Sequence, residues 1–134
     1  MSIVPSITDI AYLAGIIDGE GSILICKDNR DGRMWGYIRL YNTSEELMVW
    51  IEERFGGKFY ENPPRGLGVK PIFMLDWNGR ESRELLPELI PFLLIKKEKA
   101  RNLYDFTLAS DYHSTRGNNK GMQEACYEMS RALR

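Results

Sequence analysis

Ten residues, Tyr12 to Gly21, constrain this chain more than any other stretch of it. They combine apolar side chains for a helix face, two glycines one helical turn apart (Gly15 and Gly19) and a closing acid, Glu20. On a helix, Tyr12, Gly15, Ile16 and Gly19 share one stripe, and Leu13 and Ile17 share an adjacent one. One apolar stripe serves one core. Two predict a helix that packs on its own domain and also on a partner. A glycine inside a helix costs roughly 1 kcal/mol relative to alanine. A pair of them a turn apart is explained where a second backbone comes close. Glu20 is then expected at the foot of that contact, where Gly21 lets the chain turn. The competing reading of the same residues is an ordinary amphipathic helix closed by a glycine cap.

The rest of the chain reads as helices alternating with paired strands. Ser6 and Asp9 stand at capping-box spacing and predict a first helix from about Thr8 to Gly19. Ser22 to Lys27 is a short, β-rich strand, Asp28 to Gly32 supplies turn chemistry, and Arg33 to Asn42 is a second strand. In that second strand Ile38 and Leu40 are expected inward. The other face carries Arg33, Trp35, Tyr37, Arg39 and Tyr41. Two readings of it stand side by side. One is a solvated strand face; the other is a nucleic-acid surface, in which a two-stranded ribbon enters the major groove and arginine reads guanine edges.

Thr43-Ser44-Glu45-Glu46 reads as a capping box for a second helix with Leu47, Trp50, Ile51 and Phe55 on its inner side. Lys58 to Glu61 predicts a third strand. A fourth runs from Val69 to Trp77, with Phe73, Leu75 and Trp77 inward and Lys70, Ile72, Met74 and Asp76 on the open face. Asn78 is expected to cap a third helix with Glu81 three residues on, although Pro87 is awkward inside it. A further helix runs through Arg101, Leu103, Tyr104 and Leu108. Met122, Ala125, Cys126, Met129 and Leu133 predict a last amphipathic helix. The organisation expected is therefore an α+β core over residues 1–110, a linker over 111–119 and a C-terminal helix over 120–134.

At 134 residues the chain is one domain by length, large enough for a core without staples. No apolar run reaches the roughly 18 residues of a membrane span, so no membrane partner is expected. The first residues show neither the basic nor the apolar region of a signal peptide. Cys26 and Cys126 have no metal spacing and read as free thiols, which points to an intracellular, reducing compartment. The single His113 leaves no histidine-built triad or zinc site. The net charge of −1 argues against DNA binding, because affinity for DNA comes from Lys and Arg meeting phosphates. Segregation of charge softens the objection. Residues 21–43 and 56–78 hold seven bases (Lys27, Arg30, Arg33, Arg39, Lys58, Arg65, Lys70) against four acids (Asp28, Asp31, Glu61, Asp76). The strands therefore carry +3 and the remainder −4.

Leu13-Ala14-Gly15-Ile16-Ile17-Asp18-Gly19-Glu20-Gly21 resembles, position by position, the signature of the LAGLIDADG homing endonucleases. It has isoleucine, glycine and glutamate at positions 16, 19 and 20, where the signature has leucine, alanine and aspartate. Pro91-Phe92-Leu93 followed by Lys96 is similar to a stretch the family commonly carries after its fourth strand. The resemblance implies an αββαββα core with an antiparallel DNA-binding sheet, here with additional C-terminal helices. It implies a site-specific double-strand DNA endonuclease that uses Mg²⁺ (or Mn²⁺), needs no organic cofactor and cuts a long pseudo-palindromic target.

One motif copy implies a homodimer paired through Tyr12, Gly15 and Gly19 of the first helix. Glu20 is implied as the metal carboxylate, with the Gly19 carbonyl as a further ligand; both are hard oxygen donors of the kind Mg²⁺ takes. Lys96 is implied as the active-site lysine, with Lys97 as its fallback. Asn42 is implied as a water-ordering polar residue, with a helix cap as its alternative. Asp18 is expected to be structural, bonding nearby backbone N–H groups. The DNA contacts implied are Leu24, Cys26, Arg30, Arg33, Trp35, Tyr37, Arg39 and Lys70. A non-cleaving relative, such as an intron maturase or regulator, and an unrelated α+β interaction module are the rival readings.

Overall fold

The Ser6 hydroxyl accepts from the Asp9 N–H at 3.1 Å while the Asp9 carboxylate accepts from the Ser6 N–H at 3.0 Å, so the box predicted at the chain's start closes reciprocally. The computed structural model describes residues 3–64, 66–110 and 117–134. Its helices are α1 (Ile7–Glu20), α2 (Glu45–Phe55), α3 (Gly79–Leu89), α4 (Lys97–Ala109) and α5 (Lys120–Ala132). Its strands are β1 (Ser22–Lys27), β2 (Met34–Asn42), β3 (Lys58–Asn62) and β4 (Ile72–Asn78). They form one antiparallel sheet in the order β1-β2-β4-β3.

Alternation along the strands sorts the sheet into two faces. Ile23, Ile25, Ile38, Leu40, Phe73, Leu75 and Trp77 are buried on one, against Leu13, Ala14 and Ile17 of α1 and residues of the other helices. Full burial of an aliphatic side chain of this size is worth about 1.5–3 kcal/mol. Trp77 also donates from its indole N–H to the Phe55 carbonyl at 3.1 Å, which ties β4 to the end of α2. The opposite face stays open, and Trp35, Tyr41, Tyr60 and Ile72 on it are exposed.

Several boundaries and contacts differ from expectation. Arg33 precedes β2, and Lys70 lies in the segment before β4, exposed, because pairing of β4 with β3 starts only at Ile72. The α2 cap is Ser44, whose hydroxyl accepts from the Leu47 N–H at 3.2 Å, not a Thr43–Glu46 box. Asn78 occupies the N-cap position of α3 without capping it; its amide turns to Asp76 instead. Pro87 sits on the exposed side of α3, where one lost backbone bond is tolerated, and the helix gives way to a 3-10 turn over Ile90–Phe92. Of the expected linker, residues 111–116 lie outside the described residues; Asn119 caps α5.

The face by which α5 packs is rotated from the apolar stripe. Gln123, Cys126 and Ser130 are buried against α4 and β1, whereas Met122 and Met129 are exposed. The buried polar groups are paired, which makes their burial affordable. Ser130 Oγ accepts from the Ile25 N–H of the edge strand, and the Gln123 amide donates to Ser110 Oγ. α5 thereby covers part of a sheet edge that would otherwise be free to pair.

Gly21 also differs in mechanism. Its backbone is extended (φ −83°, ψ 167°), a conformation any residue adopts. Glycine is required there by space, since a Cβ would lie 2.9 Å from Ile17 Cα and 3.0 Å from the Ile17 carbonyl oxygen. Gly21→Ala should therefore destabilise the chain by about 1–3 kcal/mol through overpacking. The measure is a lower urea midpoint at unchanged slope. An unchanged midpoint would mean that the end of α1 shifts freely.

Candidate active site and nucleic-acid interface

The last turn of α1 gathers the residues that the sequence singled out. Glu20 is exposed, and its carboxylate accepts from the Asn42 side-chain amide at 3.0 Å. Asn42 is itself fixed, because its Oδ1 accepts from the Ser44 N–H at 2.8 Å. It thus joins the end of β2, the residue that caps α2 and the Glu20 carboxylate, but it is not itself the helix cap considered for it, which is Ser44. Asp18 turns the other way. Its carboxylate accepts from the backbone N–H groups of Leu94 (2.8 Å), Ile95 (3.2 Å) and Lys96 (2.9 Å). Lys96 returns the contact, donating from Nζ to the Asp18 carbonyl at 2.7 Å. Glu20, Asn42 and Lys96 are far apart in sequence and are brought to one helix end.

The electrostatics follow from these contacts. Partial burial pushes the Asp18 carboxyl up, but the Leu94, Lys96 and Ile95 N–H groups and the Lys96 charge outweigh it and hold Asp18 below the ordinary carboxylate range. Lys96 is pulled below the usual lysine value by burial and by the Lys99 ammonium, with Asp18 opposing. Among the described residues no group of three or more His, Cys, Asp and Glu side chains could hold a metal. The donor set present is one exposed carboxylate, Glu20, at a helix end whose last carbonyls carry partial negative charge. That set suits a hard cation that keeps most of its waters. It does not suit zinc, which wants three or four nitrogen or sulfur ligands.

The outer side of α1 is open as the two-stripe pattern predicts. Leu13, Ala14 and Ile17 are buried, whereas a Cβ at Gly15 or Gly19 would meet nothing within 4 Å. Tyr12, Gly15, Gly19, Glu20 and Asn42 line a shallow groove of about 580 Å³ there. Tyr12 is 55% exposed and stacks edge-on against Trp50 of α2. Leu94 and Ile95 were not singled out from sequence. They are 85% and 77% exposed, and the Asp18 carboxylate anchors their backbone beside the end of α1. Their one sequence signal is an apolar pair immediately before a lysine-rich helix start.

The open sheet face carries most of the other candidates. Register places Leu24 beside Tyr37, Cys26 beside Trp35, and Ser22, Arg39, Asp76 and Lys58 in one cross-strand row. Arg39 lies over the Tyr37 ring at 3.8 Å and reaches Asp76 at 3.4 Å. Arg33 stacks over Trp35 at 5.3 Å. Arg30 is exposed in the β1–β2 turn, where Asp28 accepts its backbone N–H at 2.8 Å. Lys70 is set apart from this group in the segment before β4.

No protein-family model and no curated relative matches the chain. Solved structures do. The homing endonuclease I-CvuI, in complex with its target in the presence of 2 mM Ca, matches with a TM-score of 0.73 at 16% identity, over 96% of this chain and 83% of its own. A second I-CvuI complex, with the I-CreI target, 2 mM Mg and DNA not cleaved, gives 0.72 at 16% identity over 94% and 80%. The archaeal intron-encoded homing endonuclease I-Vdi141I, complexed with DNA, gives 0.60 at 16% identity over 93% and 98%. The LAGLIDADG homing endonuclease I-GzeII, in complex with a DNA target, gives 0.62 at 14% identity over 93% of this chain and 43% of its own. This chain has the fold of the LAGLIDADG homing endonucleases.

The Asp18 contacts predict an acid-sensitive clasp. A carboxyl held low in the folded state adds stability above its unfolded pKa of about 3.9, and that stability is lost as pH falls through the folded value. Parent stability should therefore drop on acidification below about pH 4 more steeply than that of Asp18→Asn, which has no such proton to take up. Urea midpoints measured across that range check the prediction. Parallel curves would remove Asp18 as the source.

Proposed function

We propose that this chain is a metal-dependent, site-specific endonuclease for double-stranded DNA that acts as a homodimer on a pseudo-palindromic target. One observation carries the reading. An exposed Glu20, held by Asn42, ends a helix whose glycine face is open, and the Asp18–Lys96 clasp stands beside it. Glu20 and the Gly19 carbonyl would hold Mg²⁺ or Mn²⁺. When bound, such an ion supplies an activated water and neutralises charge building on the phosphate under attack.

The chain's own residues do the rest. The Asn42 amide orients the Glu20 carboxylate, and the Lys96 ammonium would steady the scissile phosphate. One motif gives one such carboxylate per chain, so cutting both strands calls for a second copy. A two-fold axis between paired α1 helices supplies it and matches inverted half-sites. The open Tyr12, Gly15 and Gly19 surface suits that pairing. DNA would lie on the open sheet face. Arg33, Tyr37 and Arg39 would act as readers, Leu24, Cys26 and Trp35 as apolar contacts, and Arg30 and Lys70 as phosphate contacts.

Incubation with a randomised duplex pool, with Mg²⁺ or with chelator, tests the activity. Glu20→Gln keeps size and hydrogen bonding but removes the charge; cutting should be abolished while binding stays within a few fold. A variant that still cuts would remove Glu20 from the site, and a parent that binds one site without cutting would favour the non-cleaving alternative. Light scattering tests the assembly. The parent should have twice the chain's mass on DNA, and Gly19→Leu should prevent cleavage by separating the helices. A parent that stays monomeric on DNA would refute the two-fold arrangement.

A further inference from the structure

Asp76 is an anomaly on the open sheet face. Neighbouring positions of its row are basic or polar, yet its carboxylate is buried; the residue is only 6% exposed. Its Oδ2 contacts Arg39 at 3.4 Å, with the Asn78 amide at 3.5 Å. Among the described residues its Oδ1 has no hydrogen-bond partner, and neither has Arg39 Nε. A buried carboxylate left half-satisfied beside a surface intended for polyanionic DNA is costly, since like charge repels phosphate and each orphaned lone pair carries its desolvation penalty.

We propose that Asp76 is a positioning residue that makes Arg39 a selective base reader and not a general phosphate contact. This rests on the DNA-binding reading above. The Arg39 guanidinium is held between two fixed partners, the Tyr37 ring on its face and Asp76 at one end, while 29% of its side chain stays exposed. Held so, it keeps donors for the O6 and N7 acceptors of a guanine. The adjacent carboxylate compensates its charge and disfavours phosphate at the same spot. An arginine freed of that carboxylate regains both its swing and its unbalanced charge.

The test uses the full chain and two measurements: selection from randomised duplex DNA, and the salt dependence of binding to a fixed non-target duplex. Asp76→Asn, close to isosteric, should lower the base preference at one symmetric pair of positions on the order of tenfold. It should also steepen the logarithmic salt slope by about 0.9 per chain as Arg39 takes up a phosphate. In an Arg39→Ala background, Asp76→Asn should change neither reading. Arg39→Lys keeps an ion-pair partner for Asp76 without the planar fork, and should lose the same preference while melting like the parent. An Asp76→Asn profile identical to the parent's, or a change that persists without Arg39, overturns the proposal and leaves the DNA-binding reading standing. A parent that selects no sequence at all overturns both.

Discussion

The site hangs on the clasp between Asp18 and the backbone that leads into α4. A carboxylate at the C-terminal end of a helix meets the wrong end of that helix's dipole. Here three N–H groups from residues 94–96 converge on it and reverse the local field. Lys96 completes the exchange by donating to a carbonyl of α1's own last turn, where a cation is favourable. Each element thus supplies what the other's end lacks. The outcome is positional. Lys96 is fixed on the Asp18 carbonyl although 78 positions separate them in sequence, and Leu94 and Ile95 are left facing outward. The Asp18 carboxylate works together with buried Leu93 and the Lys96 ammonium, which hold the same segment against α1.

The clasp also explains how α1 can serve two surfaces. Its inner side is committed to the sheet through Leu13, Ala14 and Ile17, and its last turn is pinned by Gly21's fit against Ile17 and by Asp18. Around Gly15 and Gly19 the outer side meets nothing from the described residues of its own chain and can stay glycine-bare. Gly15 and Gly19 lower the helix propensity of a segment whose place is already set by tertiary contacts, a cost that such contacts routinely override.

Local patterns were legible in the sequence, and long-range partners were not. The Ser6–Asp9 box, the inward Ile38 and Leu40 of β2 and the buried Leu13–Ile17 stripe of α1 each depend on residues within a few positions of one another, and each is found as read. Asp18 could be read as a backbone-binding acid, but not that its donors come from residues 94–96. Why glycine stands at the turn is not legible, because an extended glycine and a left-handed one look alike in sequence; only the proximity of Ile17 distinguishes them. The packing face of α5 is not legible from apolarity, because Met122 and Met129 are more apolar than Gln123 and Ser130 yet are exposed. The buried polar pair is instead accommodated by specific partners on α4 and β1. Asp76 could be put on the open face by alternation, but the cross-strand register that seats it opposite both Arg39 and Lys58 is a property of the folded sheet.

The weak negative net charge is better judged by what each acid faces than by the sum. Asp28 and Asp31 accept from backbone N–H groups of the β1–β2 turn, Asp76 is buried against Arg39, and Asp18 is spent on residues 94–96. Each of these carboxylates already has a donor within the fold. Lys27, which formal counting credits to the sheet, is in turn bound to Glu124 of α5 at 2.7 Å. Among the described residues, the bases that the sheet's open face presents without an acid bonded to the side chain in this way are chiefly Lys58 and, at the start of β2, Arg33 stacked on Trp35. Counterion release from so few cations is small, because the salt-dependent part of DNA affinity scales with the number of phosphates neutralised. On the proposed reading, discrimination then has to come from oriented contacts to base edges, and an arginine restrained by both an aromatic ring and a buried carboxylate is the arrangement on this face that provides one.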